Sequence, residues 1–183
     1  MRILLIEILL ILLMGAITPV SALSAESGWN EAGVRIGIQA DSKHVFFHQY
    51  EAFAVYGMPW DWRSASGWGA TPQANVSLGV LDGGGVTGFI GSLGTDLVFS
   101  KNGFGLTTDL GICASLFDRR QFDRQDFGSI LLFGAYMGIN YRFGNGIKIG
   151  YRIQHLSNGH IFYADETPNP GLDMHMIGIS YVY

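Results

Sequence analysis

Beyond residue 32 the chain alternates in polarity with a period of two. Val34, Ile36 and Ile38 share one parity, and Arg35, Gly37 and Gln39 share the other. Successive side chains of a strand leave opposite faces, so this pattern predicts a strand that is apolar on one side. Eight such segments follow one another, at residues 33–40, 44–57, 74–81, 86–100, 104–116, 127–143, 147–157 and 173–183. Asp41-Ser42-Lys43, Asp82-Gly83-Gly84-Gly85 and Gly144-Asn145-Gly146 supply turns between them. The second segment alternates least cleanly. Residues 58–73 read as a long connection carrying Trp60, Trp62 and Trp68, side chains suited to a membrane interface.

In each clean segment one face is continuously apolar, while the other mixes Gly with Asp, Arg, Lys, Ser or Gln. Eight strands enclose only enough room for packed side chains. The bulky apolar face therefore belongs outside, and the small and polar face inside. With 26 glycines and 13% aromatic residues, the composition carries the signature of a barrel that crosses a membrane with strands. The predicted fold is all-β: an eight-stranded antiparallel transmembrane β-barrel of the outer-membrane type. A soluble periplasmic barrel with its apolar face inward is the weaker alternative.

The N-terminus adds an address. A basic residue, Arg2, precedes a short apolar run ending near Met14, and Val20-Ser21-Ala22 offers small residues for processing. This reads as a signal peptide over residues 1–22, with cleavage as late as residue 25 as the variant, followed by one barrel domain at 23–183. Cys113 is the only cysteine, so no internal disulfide forms. The net charge of −4 is too small to imply a nucleic-acid partner. No zinc-type Cys/His spacing and no phosphate-binding glycine loop is present, and neither a metal nor a cofactor is expected.

The chemistry gathers at Tyr151-Arg152-Ile153-Gln154-His155-Leu156-Ser157-Asn158-Gly159. His155 and Ser157 share the parity of Ile147, Ile149, Tyr151 and Ile153, so a nucleophile and a base lie side by side on the lipid-facing wall. With both termini in the periplasm, strand seven ends, and strand eight begins, at the extracellular side. Ser157 is the candidate nucleophile, His155 the base, and Asp173 the orienting acid, with Asp165 and Glu166 as alternatives. Oxyanion donors would come from the Asn158 side chain or from backbone N–H groups of Asn158, Gly159 and His160. Asn169 and Gly171 belong to a Pro-Asn-Pro-Gly turn, and His175 reads as an interfacial side chain. Arg119, Arg120 and Arg124 sit on a charged loop at the same end. Such loops are usually only solvated, and anion binding is the minority reading.

His155-Leu156-Ser157-Asn158 followed by Pro168-Asn169-Pro170-Gly171-Leu172 resembles the lipid A 3-O-deacylase family of outer-membrane enzymes. Tyr50-Glu51-Ala52-Phe53 with Pro59-Trp60, and the segment from Gly88 to Gly94, are also similar to that family. The resemblance implies an eight-stranded barrel whose lipid-facing triad hydrolyses the 3-O-linked acyl ester of lipid A in lipopolysaccharide, without a metal. It implies Ser157 as nucleophile, His155 as base and Asn158 at the oxyanion hole; Gly159 and Asn169 are the further candidates, from the reading of the residues, for positioning oxyanion or substrate. Two departures stand out: the family's acid is a glutamate where this chain has Asp173, and the family reads Asn-Ala-Gly where this chain has Asn158-Gly159-His160. The competing expectations are a non-enzymatic structural or adhesive barrel, and an esterase or phospholipase of other lipid specificity, for which calcium dependence would speak. A homodimer is left open.

Overall fold

The computed structural model describes residues 21–24, 27–41, 45–160 and 168–183. Most of the segment read as a signal peptide, and the alternative acids Asp165 and Glu166, lie outside the described residues. Eight long strands run β1 (Gly28–Gln39), β2 (Phe47–Gly57), β3 (Trp68–Gly83), β4 (Val86–Lys101), β5 (Leu106–Phe117), β6 (Leu131–Arg142), β7 (Ile147–Ser157) and β8 (Leu172–Val182). Each pairs antiparallel with its neighbour in the chain. Strand β8 then returns to β1, with Met174 opposite Gln39 and Val182 opposite Glu31, so the sheet closes. Closure pairs the edges that a flat sheet would leave open, which is what lipid demands of any spanning backbone.

The outward parity is the apolar one. Ile36, Leu78, Phe89, Ile112 and Ile177 are between 58% and 70% exposed, and similar residues continue around the wall. A band of this size would drive association in water; in hydrocarbon it costs nothing. Trp29, Trp60, Trp68, Tyr141, Phe143, Tyr181 and Tyr183 are exposed toward the end that carries the chain termini, as an aromatic girdle requires.

The interior has two zones. Toward the termini it is polar and charge-paired: Arg35 forms an ion pair with Glu51 at 2.7 Å, Lys148 pairs with Glu31, and Arg152 lies 3.6 Å from Asp109. Tyr136 donates to Asp96 at 2.9 Å while Asn75 donates to both of them. Enclosed charges survive only when partnered in this way. Toward the opposite end the lumen is sealed by buried apolar side chains, among them Phe47, Leu81, Ile90, Phe117, Phe122, Phe127, Leu132, Leu156, Leu172 and Met174. The polar lining is thus confined to the half nearer the termini, and even there Phe53, Val55 and Met176 stand among the charged groups. The blurred alternation of β2 spans both zones: Phe47 points inward at the apolar seal, while Phe53 and Val55 point inward beside the polar cavity on the same parity as Gln49 and Glu51.

Three boundaries differ from the pattern by four residues or more, and the first is the start of β1 at Gly28 rather than residue 33. The third strand starts at Trp68 rather than residue 74, and Trp60–Arg63 forms a short strand of its own against it. Pro72 looks like a breaker, but it sits opposite Leu97 and between the two stretches of β3 paired to earlier strands, where no ladder N–H is needed. The sixth strand starts at Leu131. Residues 127–130 instead fold over the mouth, where Phe127 is buried and the two-residue strands Gln121–Phe122 and Gln125–Asp126 make a small hairpin. The backbone of Ser21–Ser24 pairs with Trp60–Arg63, outside the eight-strand ring.

Candidate active site

Strands β7 and β8 place His155 directly opposite Asp173. Cross-strand neighbours have Cβ atoms about 5 Å apart, and the two side chains meet: His155 Nδ1 and Asp173 Oδ1 are 2.7 Å apart. Both project from the outer wall, with 54% and 43% of their side-chain surface exposed. A neutral imidazole that donates Nδ1–H to the carboxylate keeps its Nε2 lone pair free, the tautomer a general base needs. Asp173 is shorter than a glutamate by one methylene, and direct cross-strand register makes up the difference.

Ser157 is the next outward position on β7, about 7 Å along the strand from His155 by the rise of two residues. It ends the strand, opposite Phe133 of β6, and His155 lies opposite the small Ala135. The Ser157 hydroxyl carries no hydrogen bond to any of the described residues, so serine and histidine are adjacent without being joined. Such bonds are often open in a free enzyme and close around substrate.

Asn158 points the other way. It is fully buried, and its Nδ2 donates to the carbonyls of Phe127 at 3.0 Å and Pro168 at 2.8 Å, which uses both amide hydrogens. Its Oδ1 accepts the His160 N–H at 3.0 Å, and its own N–H donates to Asn169 Oδ1 at 3.1 Å. In this arrangement the Asn158 side chain is a staple for the loop and has no proton left for an oxyanion. Of the three backbone donors, the Gly159 N–H alone is uncommitted among the described residues, and Gly159 stands in the left-handed region with φ of 59°. Asn169 serves the same staple. That the two ends of the loop and the Phe127 carbonyl meet at one amide was not readable from the chain, because it depends on where residues 127–130 land.

Further along the same lipid-facing strip, Tyr151 Oη and His175 Nδ1 are 2.6 Å apart with their rings stacked. The strip therefore holds a second polar pair, where sequence suggested only an interfacial histidine. On the loop above, Arg119 grips Asp118 through two bonds of 3.1 Å, and Arg120 lies 3.6 Å from Asp126. The Arg119 bond holds the Asp118 carboxyl below its ordinary range. Two of the three arginines thus have acidic partners within the loop, which weakens their reading as an anion site. Cys113 is a free thiol packed against the apolar seal. Among the described residues, no group of three or more His, Cys, Asp or Glu is arranged to hold a metal ion.

Known proteins match this chain in sequence and in shape. The family model described as lipid A 3-O-deacylase (PagL) matches residues 48–182. The lipid A deacylase PagL of Bordetella bronchiseptica is 28% identical over 128 residues, covering 68% of each protein. The crystal structure of the outer-membrane enzyme PagL superposes with a TM-score of 0.71 at 20% identity, over 84% of this chain and 99% of that one. That likeness establishes the barrel, and the family match, which takes in β2 through β8 and the whole His155 strip, establishes the lineage. The chain belongs to the lipid A 3-O-deacylase (PagL) family and is an ester hydrolase built on an outer-membrane β-barrel.

Proposed function

We propose that the chain is a serine esterase that hydrolyses the 3-O-linked acyl ester of lipid A in the outer leaflet. The observation that carries this reading is the 2.7 Å bond between His155 and Asp173 on the lipid-facing wall, one outward position from Ser157. Polar side chains facing lipid are costly, so three together in a base–acid–hydroxyl order call for a function. The bilayer brings the acyl ester to this face laterally, and no channel through the barrel is needed.

In the proposed reaction Ser157 Oγ attacks the ester carbonyl while its proton passes to His155 Nε2. The oxyanion is met by the Gly159 N–H, the backbone donor that no described residue occupies. Collapse breaks the bond to the sugar oxygen, which leaves with the proton from His155. Water, deprotonated by the same imidazole, then opens the acyl-enzyme and releases a 3-hydroxy fatty acid. Asp173 holds the ring and stabilises the imidazolium.

The mature protein begins after the signal peptide, at about residue 23, and keeps both termini in the periplasm. The end with the loops and Ser157 then lies at the outer leaflet. All the proposed groups belong to one chain, so a homodimer is not required. The test is the mass spectrum of lipid A from cells producing this chain or its Ser157→Ala variant. The parent is expected to remove one 3-hydroxyacyl group and the variant none. Fully acylated lipid A with a correctly inserted parent would point to another lipid ester as substrate.

A further inference from the structure

The loop that leaves β7 and returns to β8 touches the site at a place the triad and the oxyanion donors do not use. Gly171 is buried, with φ of 68°. A Cβ built on it would stand 3.1 Å from His155 Cε1 and 3.9 Å from Nδ1. The side of Gly171 on which a side chain would stand is thus turned to the imidazole edge between the two nitrogens. The glycine is held from both sides. Leu172 is fully buried opposite Leu156, while Asn158 grips the Pro168 carbonyl at 2.8 Å and the Asn169 amide oxygen at 3.1 Å.

The ring needs such a seat. It is half exposed toward lipid, and its one hydrogen bond among the described residues, to Asp173, is an axis about which it can swing. A swing of about an ångström at Nε2 would spoil the approach to Ser157, and displacements of that size can cost roughly a hundredfold in rate. We propose that Gly171 is a positioning residue: the space it leaves without a side chain receives the Cε1 edge of the ring and so lets the ring stay on Asp173 with Nε2 toward Ser157. A side chain here would press on the ring, which would have to give by a few tenths of an ångström, and would have to adopt a left-handed backbone as well. The proposal rests on the reading of His155 as the general base.

The test uses the whole protein folded in detergent micelles, with two readouts: hydrolysis of lipid A, and the rate at which a fluorophosphonate probe labels Ser157. Labelling requires a serine activated by His155 and requires no lipid recognition. Gly171→Ala is expected to lower both kcat and labelling by about ten- to a hundredfold with KM little changed. Gly85→Ala is the control, because Gly85 has φ of 75° and nothing within 4 Å of a built Cβ. It carries the same backbone penalty and should leave both rates as they are. In a His155→Ala background, Gly171→Ala should add nothing, since residues acting through one group are not additive.

A labelling rate per folded molecule within about twofold of the parent would overturn the proposal, as would a rise in KM with kcat intact. Should Gly171→Ala fail to fold, Asn169→Ala removes a tether and leaves the glycine; it is expected to slow labelling several-fold, and an unchanged rate overturns the proposal equally. A parent that does not label at Ser157 at all would instead bring down the serine-esterase reading itself.

Discussion

At the scale of single residues, His155 depends on what holds its Nδ1. An asparagine at position 173 keeps the shape but offers its amide nitrogen or oxygen to the ring indifferently, and so releases the tautomer. Asp173→Asn is expected to lower kcat by about a hundred- to ten-thousandfold, in the range such replacements give in serine hydrolases. Both side chains are about half exposed, so folding should not change, and heat-modifiable mobility on gels checks this alongside the kinetics. Activity within about twofold of the parent would mean that another carboxylate, with Glu166 the first to examine, orients the ring. The shared face of His155 and Ser157 was legible in sequence because strand parity alone fixes it, whereas Asp173 stood level there with Asp165 and Glu166 because the register that sets it opposite His155 lies between two strands. The inward turn of Asn158 was not legible, since its acceptor at Phe127 is 31 residues away in the chain and nothing local announces it.

Among elements, the inward glycines of the wall are spaces reserved for opposing side chains. Gly111 of β5 sits opposite Tyr136 of β6, and a Cβ there would lie 2.2 Å from Tyr136 Cζ. The ring cannot move aside cheaply, because its hydroxyl is shared with Asn75 at 2.6 Å and Asp96 at 2.9 Å, and its face carries the Arg152 guanidinium at 3.8 Å. Gly111→Ala should therefore lower stability by about 1–3 kcal/mol, the usual cost of overpacking, seen as a lower midpoint of thermal unfolding in micelles. Gly144→Ala, at a turn with nothing within 4 Å, should leave the midpoint in place. Equal midpoints for the two variants would show that the polar interior has slack. Strand alternation told that such positions face inward; it could not tell which were small because a neighbour fills them. The same limit misplaced the start of β3, where Pro72 is harmless only because of its place beside an interrupted ladder.

For the whole molecule, the two interior zones decide whether the barrel is also a channel. The half nearer the termini encloses a cavity of about 240 Å³ lined by charged and polar groups including Glu31, Arg35, Asp109 and Arg142. The other half is closed by aromatic rings in contact: Phe47 with Phe122 at 5.4 Å, Phe122 with Phe127 at 6.0 Å, and Phe127 with Phe117 at 5.9 Å. Ions entering from the polar end would meet this seal dehydrated and without partners, so the parent should show no steady conductance in planar bilayers. Phe122 and Phe127 come from the mouth loop rather than from the wall, so removing them opens the seal without breaking the strand ladder. Phe122→Ala combined with Phe127→Ala is expected to retain the folded barrel and to show brief conductance events. Because the Phe127 carbonyl also holds Asn158, the loosened mouth should lower esterase activity in parallel. Steady conductance by the parent would mean that the rings do not close the lumen. A double variant that stays silent and fully active would mean that the mouth loop neither seals the barrel nor supports the site.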